Sequence, residues 1–348
     1  MPAPIPDHVH LVGSVALDSV EEVFHTAGTL LGRRLKRCPD GEPGGRRLWI
    51  SWQYPLLRAN PYLQIDPVSL GQAGMFPKLR LGEGVKTEDI HFGELGYARE
   101  ARASYQDFLS SRSRGELAPG TRFQVSLPTP MAVILPFCMP QDIAAIEPAY
   151  EKAMLAEVAR LCAAIPHQDL AIQWDVCIEM VIWDGQLASR YPKEGTSPGE
   201  ILARLKRLGD AVPGDVELGY HLCYGDLDAK HFIDPIDAAK LVELSNALAQ
   251  SVKHPIAWIH MPVPIARSDE AYFQPLARLE LAPSTELYLG IVHAADGVEG
   301  LRKRAEAASR YAKNFGIATE CGIARARKPE LVRQILELHA AGSKEPAA

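Results

Sequence analysis

An α/β fold built on a parallel sheet is what this sequence predicts, and three observations carry the prediction. Eight short apolar runs recur along the 348 residues. Stretches with apolar residues at helical spacing lie between most of them. The turn after the first run, GSVALDS, is neither a P-loop nor GxGxxG, which counts against an open doubly wound sheet. Eight strands alternating with helices is also the number that closes a barrel. A (β/α)8 TIM barrel with a long insertion between strands 2 and 3 is therefore the expected architecture.

The first run, HVHLVGS (8–14), precedes LDSVEEVFHTAGTLLG, a helix candidate with Asp18 and Glu21 spaced as a capping box. RLKRCPDG (34–41), FQVSLPT (123–129), AIQWDV (171–176) and VELGYHLC (216–223) are the next four strands. IAWIHMP (256–262), LYLGIVH (287–293) and GIATECG (316–322) complete the set. SPGEILARLKRLGDAV (197–212) opens on Ser197, with Glu200 three residues on and Pro198 at the first helical position. DAAKLVELSNALAQSV, DGVEGLRKRAEAASRYAKN and KPELVRQILELHAA are further helices by their apolar spacing. Two insertions interrupt the alternation. Residues 50–120 hold WISWQYP, a hairpin candidate around GEGVKTEDIHFGELG, and a polar helix at YAREARASYQDFLSSRSRG. Residues 181–196 follow the fourth strand. Long loops at the C-terminal face of a barrel serve as lids or substrate walls. Residues 1–341 are expected to form one domain, with 342–348 a flexible tail.

Composition excludes several classes of function. Hydrophobic residues are 47% and charged residues 23%, which is a globular balance. A net charge of -6 argues against nucleic acid as a partner. No apolar stretch is long enough to span a bilayer, so no membrane partner is expected. MPAPIPDHVH lacks the basic-then-apolar pattern of a secretory leader, and a cytoplasmic protein is expected. The six cysteines, at 38, 138, 162, 177, 223 and 321, form no CxxC pair and argue against a disulfide framework. Homo-oligomerisation is left open.

In a TIM barrel the active site is built at the C-terminal ends of the strands. Those ends carry Ser14, then Asp40 and Glu42, then Thr129, then Asp175. They continue with His221, Cys223 and Asp226, His260, His293 and Asp296, and Glu320 with Cys321; Arg325 and Arg327 follow in the last loop. So many reactive groups at one end of eight apolar runs point to an enzyme. His221 and Cys223 are two residues apart and share a strand face. By itself that pair is as readily two core residues. With Cys321 from the eighth strand it becomes a soft set of two thiolates and an imidazole, suited to Zn²⁺ with a fourth position left open. Trp49, Trp52 and Trp183 fall in or beside the insertions, where they are candidates for contact with an aromatic substrate.

HLCYGD, followed about a hundred residues later by TECGIARARKP, resembles the zinc site in the catalytic barrel of cobalamin-independent methionine synthase. HLVGS is similar to that family's first-strand segment. PDGE is similar to its HGE and places Glu42 on a substrate-binding glutamate. AIQWDV is similar to its IQIDEP and places Asp175 on an aspartate that holds the substrate's amino group. LGIVHAADG is similar to the segment carrying a histidine near the methyl donor, which places His293 there. The resemblance covers most of the chain outside 50–120 and implies a single-barrel member. It also shows departures. The family's zinc has a fourth protein ligand, a glutamate on the strand between HxC and the last cysteine. Here IAWIHMPVPIARSD offers His260 instead, so His260, Glu320 or water are all open as the fourth ligand. The family's additional N-terminal barrel is absent from this sequence.

The resemblance implies a zinc-dependent methyl or alkyl transferase that activates a thiol such as homocysteine as a zinc-bound thiolate. Its expected metal ligands are His221, Cys223 and Cys321, with His260 the candidate fourth. Ser14, Asp40, Glu42, Asp175 and Arg325 are the expected substrate-binding residues. Glu42 and Asp175 suit an ammonium group, and His293 is the expected proton donor to a leaving group. The methyl donor is a folate, a corrinoid or a methyl ether. Two other enzymes are compatible with the residues: a zinc-dependent lyase or hydrolase, and a metal-free decarboxylase of the wider superfamily. A non-catalytic zinc-holding protein is the last alternative.

Overall fold

The computed structural model describes residues 6–70, 76–227, 229–344 and 346. In chain order its elements begin with α1 (Val20–Leu31), β1 (Arg37–Pro39), α2 (Tyr54–Ala59), β2 (Leu63–Ile65), β3 (Leu79–Leu81) and α3 (Tyr97–Ser113). Next come β4 (Arg122–Pro128), α4 (Pro130–Phe137), α5 (Ile143–Ala164), β5 (Leu170–Val176), α6 (Ile178–Asp184) and α7 (Pro198–Asp210). The chain continues with β6 (Glu217–Leu222), α8 (Ala239–Ser251), β7 (Ile256–Pro262) and α9 (Glu270–Phe273). It ends with β8 (Glu286–Gly290), α10 (Gly297–Ser309), β9 (Phe315–Ile317) and α11 (Pro329–Gly342).

Seven strands form one parallel sheet in the order β1-β4-β5-β6-β7-β8-β9, while β2 and β3 are a separate antiparallel pair. The sheet curls. Val9 makes parallel bridges both to Leu35, just before β1, and to Ile317 in β9, so the N-terminal segment touches both edges. Further along that segment, Ser14 bridges Gly41 and Val15 bridges Ile323. The expected first strand is thus present as isolated bridges rather than a continuous ladder. Sequential parallel strands need crossover connections, and the helices supply them. Helix α3 packs between α1 and α5, so the polar helix of the 50–120 insertion belongs to the helical layer around the sheet.

Two local expectations are corrected. The hairpin candidate at 82–96 is a loop with a short turn at Thr87–Asp89, and the antiparallel pair lies just before it. That stretch is too polar to offer two faces of alternating apolar residues. The cap of α1 is Ser19, whose hydroxyl accepts from Glu22 N, while the Glu22 carboxylate accepts from Asp18 N. Only the hydroxyl half of the expected box forms, one residue along, because the carboxylate bonds the residue before the cap. At α7 the reciprocal Ser197 and Glu200 box forms as read from the sequence. Of the expected tail, residues 345, 347 and 348 lie outside the described residues, and Lys344 N donates to the Pro6 carbonyl at 2.7 Å.

Side chains fill the space enclosed by the sheet. One register row runs Asp175, His221, His260 and Tyr288 across β5 to β8. The row below it includes Gln173, Gly219 and Trp258. Gln173 accepts from the Trp258 indole at 3.3 Å and meets His10 Nε2 at 2.8 Å, which ties the N-terminal segment to the sheet. Farther toward the strand starts, buried Arg37 pairs with Glu217 at 2.5 Å and Glu286 at 2.8 Å and lies over the Trp258 ring. Gly219 exists to admit that indole, since an added Cβ would sit 1.9 Å from Trp258 Cε2. Gly219→Ala is expected to cost about 1–3 kcal/mol of stability by overpacking, read as a lower denaturant midpoint.

Candidate metal centre

Strand β6 ends by delivering His221, and the chain carries on in ladder, with Cys223 N donating to Val176 O at 3.0 Å. Cys321 comes from the loop after β9. The two sulfurs are 3.7 Å apart, and one ligand atom each from His221, Cys223 and Cys321 lie within 4.8 Å of one another. A tetrahedral ion with bonds of about 2.3 Å to sulfur sets two thiolates roughly 3.8 Å apart, so the sulfur pair fits zinc. Gly225 N–H also points at Cys223 Sγ, at 3.2 Å. Gly322 lets the Cys321 loop close on the first segment, because a Cβ there would lie 2.2 Å from Ser14 Oγ. Each thiol is pushed well above its ordinary range: Cys223 by its hydrogen bond with Cys177, Cys321 by its hydrogen bond with Cys223, and both by burial. A divalent cation among them would reverse that.

The histidine is held in one tautomer by a relay. His260 Nε2 donates to the Thr319 carbonyl at 2.9 Å, because a carbonyl only accepts. Burial lowers His260 to about 3, so the ring is neutral and its Nδ1 is bare. That nitrogen accepts from His221 Nδ1–H at 2.7 Å. His221 Nε2 is then left with its lone pair exposed, buried and without a hydrogen-bond partner. An orphaned imidazole nitrogen beside two sulfurs is what a soft metal requires. Both nitrogens of His260 are engaged, and His260 lies outside the converging trio.

Around the trio is a cavity bounded by Ser14, Glu42, Trp49, Asp175, Cys177 and Arg325 among others. Asp175 is buried, and burial pushes it up to about 7 against hydrogen bonds from Gln173 and Trp49 and the Arg325 charge. The Glu42 carboxyl is pushed up to about 8, first by burial and then by facing Asp175 and Asp40. Arg325, an expected substrate-binding residue, lines this cavity and lies over the Trp49 ring, 5.7 Å from its centroid. Arg327 is instead paired with Asp226.

Asp40 stands elsewhere. Its carboxylate accepts from Arg46 at 2.8 Å, from Ser104 at 2.7 Å and from Glu42 N at 2.9 Å. It shapes the turn that presents Glu42. His293 lies outside the cavity: its Nε2 donates to Val263 O at 2.9 Å, and its Nδ1 faces Glu320 at 3.5 Å. Burial lowers His293 to about 4, so at neutral pH it holds no spare proton for a leaving group. Glu320 faces His231 and His293 and is pushed up to about 8 by burial.

Cys177 was not picked out by reading the sequence; His260 was read as a candidate fourth ligand rather than as a positioning residue, and Trp49 only as a candidate for contact with an aromatic substrate. Cys177 had a signal, since it stands two residues beyond Asp175 as Cys223 does beyond His221. Trp49 had none beyond its place near an insertion.

The architecture is an α/β fold with a curled parallel sheet, and its site is a cluster of metal-ligating side chains at the strand ends. Two solved structures share that fold over nearly the full length. One is a B12-independent methionine synthase from Shewanella sp. W3-18-1 in complex with selenomethionine, with a TM-score of 0.60, 14% identity, and 97% of each chain covered. The other, from Listeria monocytogenes, is provisionally named a vitamin-B12-independent methionine synthase; its TM-score is 0.55 at 14% identity, covering 99% of this chain and all of that one. At that identity the likeness establishes the shared fold. No family model and no curated protein matches the sequence.

Proposed function

We propose that this chain is a zinc-dependent methyl or alkyl transferase acting on a small thiol such as homocysteine. The observation that carries the reading is the convergence of two sulfurs with the ring of His221, whose Nε2 has no hydrogen-bond partner. The shared fold with two chains named as B12-independent methionine synthases supports it. On this reading residues 1–341 form one closed (β/α)8 barrel, with the segment at 8–14 as the strand joining the two sheet edges. A cytoplasmic enzyme fits the absence, among the described residues, of a helix long and apolar enough to cross a membrane.

His221, Cys223 and Cys321 would hold the ion. Bound there, zinc supplies the acidity that strips a substrate thiol of its proton near neutral pH. His260 serves as the positioning residue that fixes the His221 tautomer, in the place the resemblance gave to a fourth ligand. Glu42 and Asp175 receive the acceptor's ammonium group, which supplies the charge their crowded carboxyls lack. Ser14 and Arg325 line the same cavity and suit a carboxylate. His293 and Glu320 stay outside it.

The test is metal analysis of protein purified under reducing conditions, together with methyl-transfer assays on free thiols. About one zinc per chain and a product with a new C–S bond are expected; a metal-free protein would sink the reading. His260→Ala is expected to weaken zinc binding about 10–100-fold without removing it. A competition titration against a chromophoric chelator measures that loss.

A further inference from the structure

We propose that a second cavity, sharing Glu42 and Trp49 with the first, binds the methyl donor, and that this donor is a small onium cation: a methylsulfonium or a quaternary ammonium. The inference rests on the thiol-transferase reading and names the second substrate of that site.

The cavity's walls include Trp49, Trp52, Tyr97, Glu42, Glu100 and Gln124. Trp52 and Tyr97 meet edge to face, with centroids 4.8 Å apart at 72°, and make an aromatic corner. Aromatic faces with carboxylates beside them attract a cation that carries its charge on methyl groups. The cavity's one guanidinium, Arg46, is spent on Asp40 at 2.8 Å and lies 3.9 Å from Glu100. Glu100 also pairs with Arg99 at 3.4 Å, whereas Glu42 enters no ion pair among the described residues and is the carboxyl a cation would join. Gln124 is 1% exposed and its Oε1 has no partner, so the wall holds an acceptor awaiting polarised C–H or N–H groups. Within this lining a folate's carboxylates would meet only Arg46, already paired with Asp40, and a neutral methyl ether gives the acidic residues nothing to do.

The wall between the cavities is also strained. Glu42 (φ 52°) and Trp49 (φ 56°) both hold the left-handed backbone that such side chains rarely adopt. That conformation turns both residues to face the two compartments. The crowding that raises Glu42 would be relieved by a neighbouring cation.

The chemistry balances without further reagents. The thiol loses its proton to solvent, and its sulfur attacks the onium methyl carbon. A C–S bond forms as the bond from that carbon to the onium sulfur or nitrogen breaks. The electron pair stays with the leaving atom, which departs as a neutral thioether or amine. No proton is needed for it, consistent with His293 lying outside both cavities.

Tryptophan fluorescence of the full chain, titrated with choline, its neutral isostere 3,3-dimethyl-1-butanol and 4-methoxybenzoate, tests the assignment. Choline is expected to bind about tenfold tighter than the isostere. Trp52→Leu should lose that preference. Glu100→Gln, which keeps the side chain's size, should weaken choline about threefold and leave the isostere unchanged. Equal binding of the isostere, or tighter binding of 4-methoxybenzoate, overturns the proposal. Trimethylsulfonium and homocysteine should then give dimethyl sulfide with zinc-loaded protein. Zinc-loaded protein that binds choline yet releases none overturns the donor role. Choline preference in a chain that takes up no zinc sinks the thiol reading and leaves the onium site standing.

Discussion

Replacing Cys321 by serine should cut bound zinc from about one ion per chain to below about a tenth, and abolish methyl transfer with it. Cys223→Ser should do the same. The two sulfurs stand 3.7 Å apart, and His221 adds the only other donor of the trio, so losing one thiolate leaves too few soft ligands. Serine is nearly isosteric, so the fold should persist, which circular dichroism would verify. Cys162→Ser is the control: that residue lies on α5, outside the trio, and its zinc content should match the wild type. Full zinc occupancy in both Cys223→Ser and Cys321→Ser would refute the site.

Glu42→Gln should make the protein more stable at pH 8 and much poorer at binding its acceptor. The folded carboxyl is pushed up to about 8 from an ordinary 4.5, chiefly through burial. Between those values the unfolded chain releases a proton that the native state keeps. Stability therefore falls as pH rises through that window and levels off above it. Asp175 adds the same sign between 3.8 and about 7. Glutamine carries no such proton, so the variant's Tm should exceed the wild type's at pH 8 and match it near pH 4.5. The same change removes a charge-assisted partner for the ammonium group, and KM for the thiol should rise about 10–100-fold. A variant whose Tm tracks the wild type across the whole range would show that Glu42 is not buried in solution. A destabilised carboxylate of this kind is what a binding site keeps and a pure scaffold discards.

Both predictions concern residues visible in the sequence, and that visibility has a physical basis. Strands β4 to β7 were placed within a residue or so because fully buried parallel strands read as short apolar runs, bounded by turns. His221, Cys223 and Cys321 stood out because side chains able to ligate a metal are chemically unusual at strand ends. The first strand was found as a pattern, yet it joins the sheet through isolated bridges that no pattern foretells. His260 was legible as a polar residue in an apolar strand but not as a positioning residue. Its role depends on Thr319, 59 positions away. The wall made by Glu42 and Trp49 was less legible still, because a left-handed backbone at a glutamate and a tryptophan is imposed by tertiary packing and has no local signature.

Thr319 has one more consequence. Its carbonyl receives His260, and its hydroxyl donates to the Cys321 carbonyl at 2.7 Å. One residue therefore stitches the middle of the chain to its last loop, beside two ligands 98 positions apart. Any ion held by that stitch lends its binding energy to folding of the C-terminal part, α10 and α11 included. Metal supply would then govern how long the protein survives proteolysis as well as how fast it turns over.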